Sequence, residues 1–212
     1  MKNIKAVLFD FDGVIADTMG DNYQAWKRAF ADHDIEVAED EYMPLEGCST
    51  MEIARIILSK SKNSTSPSVL SKLKHHYYKK HNNFKIYSSV VEILDALIDK
   101  DILLALVTGS DRKRLNESIP ELLNKFQTIV AGGEAEKGKP FPDPYLLAVE
   151  RLALKPQDCL VVENAPLGIT SAKRAGCHCL ALTTTVDEKT LSEADEVLDS
   201  HKSLLERLSS FI

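Results

Sequence analysis

The chain has 212 residues, 44% of them hydrophobic and 27% charged, with a formal net charge of −6. The length suits one large domain, or one domain carrying an insert, and the composition is that of an ordinary globular protein. The acidic balance argues against a nucleic-acid partner, which leaves a basic footprint. No apolar run approaches the ~20 residues that span a bilayer. Met1-Lys2-Asn3 runs straight into a strand-like stretch, without the pattern of a signal peptide. No membrane partner and a cytoplasmic location are therefore expected. Cys48, Cys159, Cys177 and Cys179 fit a reduced setting, and their spacing matches no zinc pattern.

Ile4 to Phe9 is a short apolar run rich in strand formers, which reads as a buried strand. Asn22 to Phe30 repeats Ala25, Trp26, Ala29 and Phe30 at helical spacing. Residues 33–50 are mixed, with Pro44 and Gly47 marking a turn. Thr50 to Lys60 carries an Ile53, Ile56, Ile57 stripe and predicts a helix. Ser66-Pro67 reads as a cap and a proline at the first helical position, opening a helix to about Asn82. His75, His76 and His81 fall on that helix and are read as exposed. Residues 18–83 thus hold helices and no good strand.

From Tyr87 the pattern alternates. Helices are expected over Val90–Lys100, after Asp111, over Asp143–Leu152, Pro166–Ala175 and Leu204–Ile212. Strands are expected over Ile102–Val107, Thr128–Ala131, Cys159–Val162, His178–Leu182 and Glu196–Leu198. Such alternation builds βαβ units. The expected fold is α/β: a Rossmann-like parallel sheet with helices on both faces. Residues 1–17 and 84–212 form the core, and an α-helical cap, 18–83, is inserted after the first strand.

Ligands of open α/β sheets bind beyond the carboxyl ends of the strands. The first strand presents Asp10 and Asp12 there, on one side of an extended chain. Two unpaired buried carboxylates call for a cation between them. The second strand presents Thr108, Gly109 and Ser110, the loop after the third offers Lys139, and the fourth ends in Glu163-Asn164. Carboxylates, hydroxyls, free N–H groups and an ammonium make a metal site beside an anion site. Mg²⁺ prefers such oxygen ligands: Asp10, the Asp12 carbonyl, Glu163 and Asn164. Asp10 is placed to attack phosphorus, and Asp12 to protonate the leaving oxygen and then deprotonate water. Thr108, Gly109, Ser110 and Lys139 are placed to hold the phosphoryl oxygens. An EF-hand reading of Asp10-Phe11-Asp12-Gly13 fails, because Val14 and Ile15 stand where a third oxygen ligand and a glycine are needed.

Asp10-Phe11-Asp12-Gly13-Val14, Thr108-Gly109-Ser110, Lys139-Pro140 and Glu163-Asn164 resemble the four ordered motifs of the haloacid dehalogenase superfamily. Val161 to Ile169 is similar to the fourth motif of its β-phosphoglucomutase and sugar-phosphate phosphatase subgroup. The resemblance implies a helical cap, an Asp10 nucleophile, Asp12 as acid/base, Mg²⁺ and a small phosphorylated metabolite, in a monomer by default. Asp12 also implies phosphotransfer rather than dehalogenation.

Two departures stand out. Asn164 replaces the usual aspartate, which removes a charge and weakens the metal site. Asn22 and Thr50 stand where β-phosphoglucomutase carries a His and the cap Arg that anchors a second phosphate. The missing Arg favours a phosphatase over a sugar phosphomutase, with Arg55 or Lys79 as possible substitutes. A non-catalytic phosphometabolite-binding module is the third reading, and the intact Asp10, Asp12 and Lys139 speak against it. Trp26, Gly47, Ser49 and Thr50 are candidate substrate contacts. The blander alternatives are Trp26 as core, Ser49 or Thr50 as a helix cap, Asp17 as a cap, and Asn164 as a cap to the helix at Pro166.

Overall fold

The computed structural model describes residues 4–210. Strand β1 (Ala6–Phe9) is followed by helices α1 (Met19–Ala31), α2 (Glu39–Tyr42), α3 (Thr50–Lys60) and α4 (Pro67–His81). Then come α5 (Val90–Ile98), β2 (Leu103–Val107), α6 (Arg112–Ser118), β3 (Thr128–Val130) and α7 (Asp143–Arg151). The chain continues through β4 (Cys159–Glu163), α8 (Pro166–Arg174), β5 (His178–Leu182), β6 (Glu196–Leu198) and α9 (His201–Ser209). The strands form one sheet in the order β3-β2-β1-β4-β5-β6, parallel throughout.

Alternate residues of each strand enter opposite faces. Val7 and Phe9 join Leu104, Leu106, Val162 and Leu180 under α5, α6 and α9. Ala6 and Leu8 join Ala105, Val161 and Cys179 under α7 and α8. Both faces are dry, which is why these strands read as unbroken apolar runs rather than alternating ones. All four cysteines are free and buried.

Between β1 and α5 the helices build a third apolar cluster around Trp26, Phe30, Tyr42, Ile53, Ile57 and Leu70. Ser49, Ser66, Asp111 and Ser200 cap α3, α4, α6 and α9 by accepting from the backbone N–H three residues on. No helix of the described residues is long and apolar enough to cross a membrane.

Some elements differ from expectation. Helix α1 begins at Met19, three residues before Asn22. Asp17 does not cap it; its carboxylate accepts from the Tyr87 hydroxyl at 3.4 Å. Helix α2, too short to show a period, lies in the stretch read as mixed. The closing helix runs from His201 to Ser209, because the Ser200 cap starts it before the apolar Leu204. The expected extension over Phe211 and Ile212 lies outside the described residues.

Candidate active site

Strand order reverses on either side of β1, and that reversal opens the crevice in which such sheets bind ligands. Asp10 follows the last residue of β1, and its backbone N–H still bonds to Val162 O of β4 at 3.0 Å. Its side chain is 6% exposed, and Oδ1 accepts from Lys139 Nζ at 2.7 Å. Lys139 Nζ also donates to Glu163 Oε1 at 2.6 Å and to Val107 O at 3.2 Å. Burial and the Glu163 charge push Asp10 up to about 7 against the pull of Lys139. The same two carboxylates hold Lys139 above its ordinary value despite burial. Lys139 is therefore no solvated loop lysine but the buried hub of the site.

Glu163 does not behave as the free metal ligand that was expected. Oε1 accepts from Lys139 and from the Tyr145 hydroxyl at 2.8 Å. Oε2 accepts from the backbone N–H groups of Asn164 and Ala165. The reason is local: Pro166 opens α8, so the preceding N–H groups turn back onto the carboxylate. In this arrangement Glu163 anchors Lys139.

Asn164 does not cap α8 either; its Nδ2 donates to Thr185 Oγ1 at 2.8 Å. Its Oδ1 is buried without any hydrogen-bond partner, a costly state unless a donor or cation completes it. Gly13 lies against that amide: φ is +88°, and a Cβ there would come within 2.0 Å of Asn164 Nδ2. Only glycine permits both the turn and the approach. Asn164 Oδ1, the Asp10 carboxylate and the Asp12 carbonyl form an all-oxygen donor set that fits a hard divalent cation completing its shell with water and substrate. Among the described residues no group of three or more His, Cys, Asp or Glu side chains is placed to hold a metal ion by itself.

Asp12 is held differently. Arg114, on the first turn of α6, grips it with both arms: Nη1 donates to Oδ2 at 2.7 Å and Nη2 to Oδ1 at 2.6 Å. Thr18 Oγ1 also donates to Oδ1, as does Asn22 Nδ2 at 3.1 Å, while Ser110 Oγ donates to Oδ2 at 2.9 Å. Burial alone would raise Asp12, but the guanidinium outweighs it and holds the carboxyl far below the usual range. Arg114 was not anticipated. Its only signal was its place three residues after the Asp111 cap, which sends a helical side chain back toward the strand end.

The expected anion site is present in part. Thr108 is buried, but its Oγ1 accepts from Ser110 N–H at 3.0 Å, so that N–H is engaged within the loop. Gly109 packs under the Gly47-Cys48 turn, where a Cβ would meet Cys48 O at 2.7 Å.

Trp26, Gly47 and Thr50 line a small cavity of ≈ 30 Å³ with Asp10, Asp12 and Thr108. Trp26 is at the same time core, stacked on Phe30 with centroids 5.0 Å apart. Ser49 does not reach this cavity; its hydroxyl accepts from Glu52 N–H as the cap of α3. It opens instead on an adjoining cleft of ≈ 860 Å³.

Arg55 and Lys79 do not reach the cavity either: Arg55 pairs with Glu52, and Lys79 with Glu117. The buried cations there are Arg114 and Lys74. Lys74 Nζ donates to Asn22 Oδ1 at 2.7 Å; burial and the Arg114 charge lower it to about 8. Glu46, bonded by the Tyr42 hydroxyl, is pushed up to about 7 by burial and by the Asp12 charge. His75, read as exposed, is half-buried beside Asp111.

A family model described as haloacid dehalogenase-like hydrolase matches residues 7–182. The chain belongs to that family. It is 30% identical to a phosphorylated carbohydrates phosphatase of Thermotoga maritima, over 92% of this chain and 93% of that one. It is 30% identical to a β-phosphoglucomutase of Bacillus subtilis, over 84% of this chain and 83% of that one. The crystal structure of a β-phosphoglucomutase from Clostridium difficile superposes with a TM-score of 0.86 at 25% identity, covering 98% of this chain and 96% of that one. These likenesses place the chain in the β-phosphoglucomutase-like part of the family and bear out the α/β parallel-sheet fold.

Proposed function

We propose that the chain is a Mg²⁺-dependent phosphatase of a small phosphorylated metabolite, a sugar phosphate by preference, working through an aspartyl-phosphate on Asp10. The observation that carries the reading is Asp10 itself: Lys139 holds one carboxylate oxygen, and among the described residues no donor occupies the other. Tethered on one side, it is oriented as a nucleophile. Asp10 Oδ2 bonds to phosphorus while the ester P–O bond breaks. The leaving oxygen takes a proton from Asp12, which can carry one only after Arg114 has released it. A water then gives its proton to Asp12 and bonds to phosphorus, the Asp10–phosphorus bond breaks, and phosphate leaves. The cation supplies neutralising charge between Asp10 and the incoming phosphate when bound; Asp10, the Asp12 carbonyl and Asn164 Oδ1 would hold it. Thr108, Gly109 and Lys139 steady the phosphoryl oxygens.

Residues 18–83 serve as the cap. The ≈ 30 Å³ cavity beneath them holds a water or two, not a sugar phosphate, so the cap must swing to admit substrate and then exclude bulk water. The setting is cytoplasmic, and no nucleic-acid or membrane partner is required.

A sugar phosphomutase is the second reading, favoured by the two buried cations in the cavity. Hydrolysis is preferred because Thr50, at the position of the cap arginine, spends its hydroxyl on Ser71 Oγ at 3.0 Å. The test is phosphate release from a panel of phosphorylated metabolites with Mg²⁺, in the wild type and Asp10→Asn. Release that Asp10→Asn abolishes supports the phosphatase. Interconversion of sugar 1- and 6-phosphates that needs a bisphosphate activator overturns it in favour of the mutase. Ligand binding without turnover, indifferent to Asp10→Asn, overturns both.

A further inference from the structure

We propose that Arg114 is a specificity-determining residue that reserves turnover for phosphate esters carrying a second anionic group, a carboxylate or phosphate, on the alcohol. The inference rests on the phosphatase reading and names its substrate class.

The geometry of Asp12 sets the problem. Its two oxygens offer about four lone-pair sites, and five donors occupy them, two from Arg114. A leaving ester oxygen finds no free edge of this carboxylate. Thr18, Asn22 and Ser110 can stay in place during reaction, because once Arg114 leaves, one site stands open on Oδ2, where Ser110 is the remaining donor. Arg114 is the donor that must let go. Its side chain is 8% exposed, and a guanidinium parted from its carboxylate in such a place is strongly disfavoured unless another anion replaces it. A neutral alcohol offers no replacement; a carboxylate or phosphate does, in the same two-pronged geometry.

The surroundings support an anion there. The guanidinium lies between the Phe11 ring, 5.3 Å from its centroid, and the Tyr78 ring, 4.6 Å away, and bonds to the Tyr78 hydroxyl at 3.0 Å. Its Nε is buried without a partner. Lys74 Nζ, a second buried cation, lies over the same Tyr78 ring at 4.9 Å. Glu46 also faces the cavity, with the Tyr42 hydroxyl bonded to it. Tyr78 and Lys74 belong to α4 and Arg114 to α6, so the site spans both sides of the cleft.

The test compares phosphoglycolate with 2-hydroxyethyl phosphate, which differ in carrying a carboxylate or a neutral hydroxymethyl group. In Asp10→Asn protein, calorimetry is expected to show phosphoglycolate binding about tenfold tighter or more. Adding Arg114→Gln brings the two within about twofold, and Arg114→Lys, which keeps charge but loses the fork, falls between. In enzymes with Asp10 intact, Arg114→Gln lowers kcat/KM for phosphoglycolate while raising kcat for 2-hydroxyethyl phosphate. That crossing is not expected from simple loss of structure. Equal binding of the two esters, or a preference unchanged in both Arg114→Gln and Arg114→Lys, overturns the proposal. If binding discriminates as expected but the wild type releases phosphate from neither ester, the anion site stands and hydrolysis of such esters fails.

Discussion

Lys139→Met is the substitution that most directly tests how the site is held. The wild-type ammonium, 2% exposed, lies between Asp10 and Glu163 at 2.7 and 2.6 Å. A methionine of similar length fills the space but leaves two buried carboxylates facing each other without a cation. Removing one partner of a buried ion pair costs about 3–5 kcal/mol. For a chain of this size that is a fall in Tm of roughly 6–20 °C at pH 8. The cost depends on pH with a definite sign. Asp10 already sits near 7 with Lys139 in place; without it, the folded protein binds a proton more tightly than the unfolded chain does. The variant is therefore stabilised as pH falls, and its deficit against wild type narrows from pH 8 to pH 5. Glu163→Gln in the same background should recover part of the loss at pH 8. Thermal unfolding with EDTA across that range measures all three effects. A Lys139→Met protein within about 1 kcal/mol of wild type, or a deficit indifferent to both pH and Glu163→Gln, would refute the assignment of Lys139 as the hub.

Two further expectations follow from buried groups. Glu46 is raised from 4.5 to about 7, so its contribution is fully present below about pH 4.5 and is lost as pH rises through 7; Glu46→Gln should gain on wild type across that window by up to about 3 kcal/mol, read as the difference in Tm at pH 4.5 and 7.5, and a flat difference would show that Glu46 does not titrate there. Asn164→Asp restores a charge at the unpartnered Oδ1, and the Mg²⁺ concentration for half-maximal phosphate release should fall about tenfold; no change would separate Asn164 from the ion.

The sheet was legible in the sequence because both of its faces are buried. Runs such as Leu103 to Val107 have no solvated side, so strand identity needs no knowledge of neighbours. The helix starts at Ser49, Ser66 and Asp111 were legible because a capping side chain bonds within its own segment. The positions of Asp10, Asp12, Thr108 and Asn164 at strand ends, and of Lys139 in the loop after the third strand, were legible because parallel strands place their carboxyl ends on one edge whatever their order. What each of them bonds to was not. Glu163 looked like a metal ligand and became the anchor of Lys139. Arg114 is one of three consecutive basic residues, Arg112-Lys113-Arg114; only packing put it between Phe11 and Tyr78, residues from distant parts of the chain, and onto Asp12. Local chemistry fixes where a strand stops and a helix starts. Which donor reaches a buried carboxylate depends on contacts made across as many as 129 positions, and those exist only once the sheet has assembled and set β1 beside β2 and β4.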